Sequence, residues 1–96
     1  MDGNYFVYIL TNKSNRVFYV GVTDDLARRV REHYEGTNEG FTKRYQIKKL
    51  VYFERFHEVR DALEREKAVE KLSRVNKIKL ITEQNPLFDD LCEWVR

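Results

Sequence analysis

The sequence predicts one α/β domain over residues 1–96, a three-stranded, mainly antiparallel sheet flanked by helices in the order β-β-α-β-α-α. Three observations carry this. Two short runs rich in β-branched and aromatic residues, Tyr5 to Leu10 and Val17 to Val22, flank the polar stretch Asn12, Lys13, Ser14 and Asn15, the pattern of a β-hairpin. Leu26, Ala27, Val30 and Tyr34, and later Val59, Ala62, Leu63 and Val69, recur with helical spacing. A chain of 96 residues buries enough apolar surface for one core without disulfides or structural metal.

In the hairpin, a turn centred between Lys13 and Ser14 sets Tyr8 opposite Tyr19 on one face of the sheet. Gly21 shares that face through the two-residue repeat and leaves bare backbone where a ligand or helix can approach. Thr23 or Asp24 caps the first helix. Within that helix Arg29 and His33 stand four apart, one turn from each other on one face. Two phenols, a guanidinium and an imidazole therefore converge.

The segment EGTNEGFTKRYQ, with Gly36 and Gly40, reads as a mobile loop whose Lys43 and Arg44 either clamp a phosphate backbone or stand solvated. Lys48 to Phe56 forms the third strand, and its apolar Leu50, Val51, Tyr52 and Phe53 suit a central strand covered on both faces. His57 closes it as a surface residue. The second helix runs from Glu58 to Leu72, and Glu66 intrudes into its apolar stripe. A carboxylate facing a core or cleft costs several kcal/mol unless paired, so Glu66 either has a cationic partner or lies on a shifted stripe, in water. Asn76 caps a third helix containing Ile78, Leu80 and Ile81, which Asn85 and Pro86 end. Residues 4–82 are then the core, and 83–96 a cover in which Leu87, Phe88, Leu91 and Trp94 pack down.

Charge and composition narrow the function classes. The net charge of +2 is small, but Lys71, Arg74, Lys77 and Lys79 cluster, either as a solvated face or as a phosphate-binding one. Cys92 has no intrachain partner, as expected in a reducing cytosol, and no run approaches the ~20 apolar residues that span a bilayer. A glycine-rich phosphate loop, a dinucleotide fingerprint, zinc-ligand spacing and a recognisable serine or cysteine nucleophile are all missing. Few enzyme classes, and no small-molecule cofactor, survive this.

Phe6-Val7-Tyr8 and Tyr19-Val20-Gly21, separated by the ten residues 9–18, resemble the two motifs of the GIY-YIG nuclease superfamily. Arg29, His33 and Glu66 follow at matching places, and the segments FTKRY, REKAVEKLSRVNKIKLI and NPLFDDL resemble its small stand-alone bacterial members. Two positions depart from the pattern: Phe6 replaces the first motif's glycine, and Val22 stands where excision-repair members carry lysine. The resemblance implies a divalent-metal-dependent endonuclease acting on nucleic acid, DNA ahead of RNA, in repair or processing. It implies Glu66 as ligand of a single Mg2+ or Mn2+, Arg29 as stabiliser of phosphoryl charge, Tyr8 as the group that positions or deprotonates water, and Tyr19 and His33 beside them. One carboxylate suffices for magnesium, which keeps several waters and takes substrate oxygens, so affinity before substrate binds is weak. Lys43, Arg44, Arg74, Lys77 and Lys79 are the expected nucleic-acid contacts. Two other readings use the same residues: a non-catalytic module holding a strand on Tyr8, Tyr19 and Phe41, and a partner protein whose tyrosines only pack.

Overall fold

The computed structural model describes residues 3–36 and 40–95. The strands are β1 (Tyr5–Thr11), β2 (Phe18–Thr23) and β3 (Lys49–Phe56), and the helices α1 (Leu26–Glu35), α2 (Phe41–Arg44), α3 (Val59–Glu70), α4 (Arg74–Gln84) and α5 (Cys92–Val95). The expected α/β order holds, with two short helices added. The sheet is antiparallel throughout, in the order β2-β1-β3, so the hairpin's first strand is central and β3 is an edge.

Alternation along the strands divides the core between the two faces. On one, Val7, Ile9, Val20 and Tyr52 pack against Ala62 and Val69 of α3 and Ile81 of α4. On the other, Tyr8, Leu10 and Leu50 pack against Leu26 and Val30 of α1, with Ile47 and Cys92. The expectation that both faces of β3 are covered is met, although β3 is not central. The C-terminal segment seals its outer edge instead. Gln84 exchanges two hydrogen bonds with the Phe53 backbone, Asn85 Nδ2 donates to Val51 O, and Leu91 N donates to Leu50 O at 2.7 Å. Covering the edge from Leu50 to Phe53 in this way takes those backbone groups out of reach of another chain.

The hairpin register differs from the expected one. Tyr8 pairs with Gly21, and Leu10 with Tyr19, a slip of two residues. The turn is the reason. Asn12 Oδ1 accepts from the backbone N–H groups of Arg16 and Val17, and Asn15 takes φ 60°, which centres the loop one residue later than the composition suggested. A two-residue slip preserves the face, so Tyr8 and Tyr19 remain neighbours, diagonally placed.

Helix boundaries moved for similarly local reasons. Asp25, not Thr23 or Asp24, caps α1, accepting from Arg28 N, and Ser73, not Asn76, caps α4, accepting from Asn76 N. In the expected loop, residues 37–39 lie outside the described residues, and FTKR forms α2. On α3 only Ala62 and Val69 are fully buried, while Val59 and Leu63 are 47% and 44% exposed. α3 packs mainly on β1 and β2, and Val59 and Leu63 fall on the flank that lines a groove with Val22, Thr23 and Asp24 at the end of β2. In the C-terminal cover Phe88 and Leu91 pack on the core, but Leu87 and Trp94 are 79% and 80% exposed. Hydrogen bonds of the turn around Asn85 and Asp90 fix this segment's path, and those two side chains project from it.

Candidate nucleic-acid cleft

The cleft begins with a missing side chain. A Cβ on Gly21 would lie 2.5 Å from Tyr8 Oη and 2.6 Å from its Cζ, so the Tyr8 phenol occupies the space that glycine leaves on β2. The bare backbone expected beside Tyr19 is therefore filled from within the protein. Tyr8 is 1% exposed and Tyr19 is half-buried, with ring centroids 6.2 Å apart. From α1, the His33 ring reaches within 5.5 Å of the Tyr19 ring and 6.3 Å of the Tyr8 ring. Cross-strand alternation and the helical step thus place both phenols and the imidazole together, as expected from sequence.

Arg29 stands one turn before His33, its side chain 36% exposed and its Nη1 3.5 Å from Glu32 Oε1. Sequence reasoning passed over Glu32, although its spacing of three from Arg29 and four from Arg28 was the available signal. Among the described residues, Arg29 Nε and both His33 ring nitrogens are buried without a hydrogen-bond partner. Such atoms cost about 1–3 kcal/mol each when left unsatisfied, so three of them side by side on α1 mark a place for ligand or water oxygens.

The electrostatics restrict what these groups can do. Burial, reinforced by the Tyr19 phenol and only partly offset by Arg29, pushes Tyr8 far above the usual phenol range. It is a protonated donor at neutral pH. Burial and then the Arg29 charge hold His33 below the ordinary histidine value, against the pull of Glu32, which favours the neutral ring.

Glu66 is half-buried on α3, the helix on the opposite face of the sheet from the phenols. Among the described residues it makes no hydrogen bond or ion pair, with the four cleft side chains or any other. The two faces meet around the β2 edge, where Arg29, Val22, Thr23 and Asp24 line one groove with Val59 and Leu63 of α3. Glu66 follows Leu63 by three residues, so it continues that flank of α3 along β2. Burial, and then the Glu70 charge, raise its pKa, with Lys67 opposing. A carboxylate with that environment is short of positive charge, and its two oxygens are hard donors of the kind a weakly held divalent ion takes. No cluster of three or more His, Cys, Asp or Glu side chains able to hold a metal exists among the described residues.

The expected basic contacts are scattered. Lys43 and Arg44 are exposed on α2, and Lys79 is exposed and Lys77 half-buried on α4. The Arg74 guanidinium donates to the backbone carbonyls of Asn15 and Arg16 and lies 5.1 Å over the Phe18 ring, so it pins the hairpin turn.

A hairpin carrying two neighbouring phenols thus feeds an arginine–histidine helix in a small α/β domain. The chain belongs to the GIY-YIG catalytic domain family, whose model matches residues 4–79, and that family implies nuclease activity. The UPF0213 protein CPE1444 of Clostridium perfringens is 38% identical over 80 residues, covering 83% of this chain and 85% of that protein. The UPF0213 protein YazA of Bacillus subtilis is 35% identical over 81 residues, covering 84% and 81%. Among solved structures, the solution NMR structure of the UPF0213 protein BH0048 from Bacillus halodurans matches with a TM-score of 0.58 and 30% identity, covering 91% of this chain and 92% of that one.

Proposed function

We propose that the chain is an endonuclease that hydrolyses nucleic-acid phosphodiester bonds with one Mg2+ or Mn2+, on DNA ahead of RNA, in nucleic-acid repair or processing. The observation that supports this best is the trio of buried, unpartnered nitrogens of Arg29 and His33 beside the two phenols. A phosphodiester supplies oxygens to Arg29 Nε and to the one N–H of the neutral His33 ring, whose other nitrogen is left to accept from water, and the guanidinium offsets charge that builds on the phosphoryl group. Arg29 must then leave Glu32 for the phosphate. Tyr19, the more exposed phenol, reaches substrate, while Tyr8 donates from behind and fixes the ring geometry. The neutral His33 ring orients the attacking water or accepts its proton. Glu66 is the proposed ligand of the ion, which when bound supplies Lewis-acid charge to the phosphate. Lys43, Arg44, Lys77 and Lys79 hold the backbone electrostatically, so binding weakens steeply with salt.

A non-catalytic strand-binding module is the second reading, favoured by the position of α3 and Glu66 across the sheet from the phenols. One experiment separates the two. Single-stranded, duplex and branched DNA and RNA are incubated with wild type, Glu66→Gln and Arg29→Ala, with and without Mg2+ or Mn2+. For the endonuclease, Glu66→Gln abolishes cleavage and retains metal-free binding, whereas Arg29→Ala lowers both, with about 3 kcal/mol added to the barrier. Cleavage by Glu66→Gln at the wild-type rate removes Glu66 as the ligand. Binding by wild type without cleavage in any metal condition selects the module.

A further inference from the structure

Beyond the cleft, the end of α1, α2 and the start of β3 expose three aromatic rings among cations. Tyr34 is 63% exposed, Phe41 50% and Tyr45 43%. Phe41 and Tyr45 stand one helical turn apart, their ring centroids 4.8 Å from each other and tilted by 50°. The Arg44 guanidinium lies 5.7 Å over the Tyr45 ring, and Lys48 Nζ 5.9 Å over the Tyr34 ring. Gln46, the residue after Tyr45, lines a cavity of about 360 Å³ with Tyr34, Lys13, Lys48, Lys49 and Asp90. Asp90 is the carboxylate there, and its Oδ1 already accepts from the backbone N–H groups of Leu50 and Cys92. The remaining charge of this cavity is positive.

We propose that Tyr34, Phe41 and Tyr45, with Arg44 and Lys48, form a stacking platform for the unpaired bases of a nucleic-acid strand. The proposal rests on the nuclease reading and adds to it the kind of substrate: one that carries unstacked bases. Exposed rings expose π-faces, which any base can use, while the interleaved cations follow the backbone. Stacking needs bases free of the duplex, and phosphate attraction alone does not. Tyr34 follows His33 on α1 but is turned about 100° from it around the helix, so the platform lies on a neighbouring flank of α1 and takes a different stretch of the strand from the one at the phenols.

The test measures binding by fluorescence anisotropy in EDTA, so that nothing is cut. The probes are a mixed-sequence single strand, as DNA and as RNA, a base-free deoxyribose-phosphate strand of equal length, and a duplex. Wild type binds the single strand about tenfold or more tightly than the base-free strand, and more tightly than the duplex. Phe41→Leu and Tyr45→Leu lose that difference without changing affinity for the base-free strand or the melting temperature, and Phe41→Trp keeps it. Arg44→Gln weakens all probes alike. Equal binding of normal and base-free strands, or full discrimination by both leucine variants, overturns the platform. The same preparations are assayed for cleavage with Mg2+: cleavage without base discrimination leaves the nuclease reading standing alone, and discrimination without cleavage leaves the platform standing alone.

Discussion

Gly21→Ala tests how the cleft is built. The added methyl would meet Tyr8 Oη at 2.5 Å and Cζ at 2.6 Å, about 1 Å inside the 3.5–4.0 Å at which carbon atoms ordinarily rest. Tyr8 is 1% exposed inside a close-packed cluster, so its ring cannot retreat without displacing Leu26, Val30 or Leu50. Overpacking of this kind costs about 1–3 kcal/mol. Taking about 2 kcal/mol, and about 4–8 °C per kcal/mol for a domain of this size, the melting temperature falls by about 8–16 °C. The cause is isolated by a double-mutant cycle. Tyr8→Leu removes the far edge of the ring, so Gly21→Ala becomes nearly neutral in that background, with a coupling of about 1–2 kcal/mol. Tyr8→Phe gives little relief, because Cζ remains. The assay is thermal and urea unfolding of the single and double variants. Equal losses from Gly21→Ala with and without Tyr8→Leu would falsify the account of glycine as the seat of the phenol.

His33 gives a pH dependence. Its folded-state pKa is lowered, so the unfolded chain takes up the proton first, and stability is lost as pH falls through about 6.5 toward the folded value. Melting curves between pH 8 and pH 5 show this loss in wild type and a smaller one in His33→Gln; parallel curves contradict the buried neutral ring. Glu66 has a raised pKa, so its charge opposes folding at neutral pH, and Glu66→Gln raises the metal-free melting temperature at pH 7, by a margin that shrinks in acid. Mg2+ at millimolar concentration stabilises wild type and not the variant, and equal stabilisation of both removes Glu66 as the ligand. Arg74→Ala loosens the hairpin turn by about 1 kcal/mol, seen as faster amide exchange at Arg16 and Val17, and leaves the salt dependence of nucleic-acid binding nearly unchanged. A lower salt slope instead makes Arg74 a phosphate contact.

Features that depend only on a local period were determined by the sequence itself. Tyr8, Tyr19 and Gly21 share a face for any register differing by an even number of residues, so the two-residue slip cost the reasoning only the direct pairing. Arg29 and His33 share a helix face because they are four apart, and the imidazole meets the phenols because α1 leaves β2 after the two residues Asp24 and Asp25. The three-stranded antiparallel α/β architecture followed from the same alternation and stripes. Tertiary structure decided what no period encodes. The loop centre depends on which N–H groups Asn12 captures, and β3 became an edge because Gln84, Asn85 and Leu91 satisfy its outer backbone from far along the chain. The packing of α3 on β1 and β2 exposes Val59 and Leu63 and sets Glu66 across the sheet from the phenols, since a helical stripe fixes which residues share a face but not which neighbour covers it. The same is true of solvation. Whether the nitrogens of Arg29 and His33 are buried, and whether Tyr8 keeps its proton, depends on everything packed around them, and only the folded chain brings those groups together.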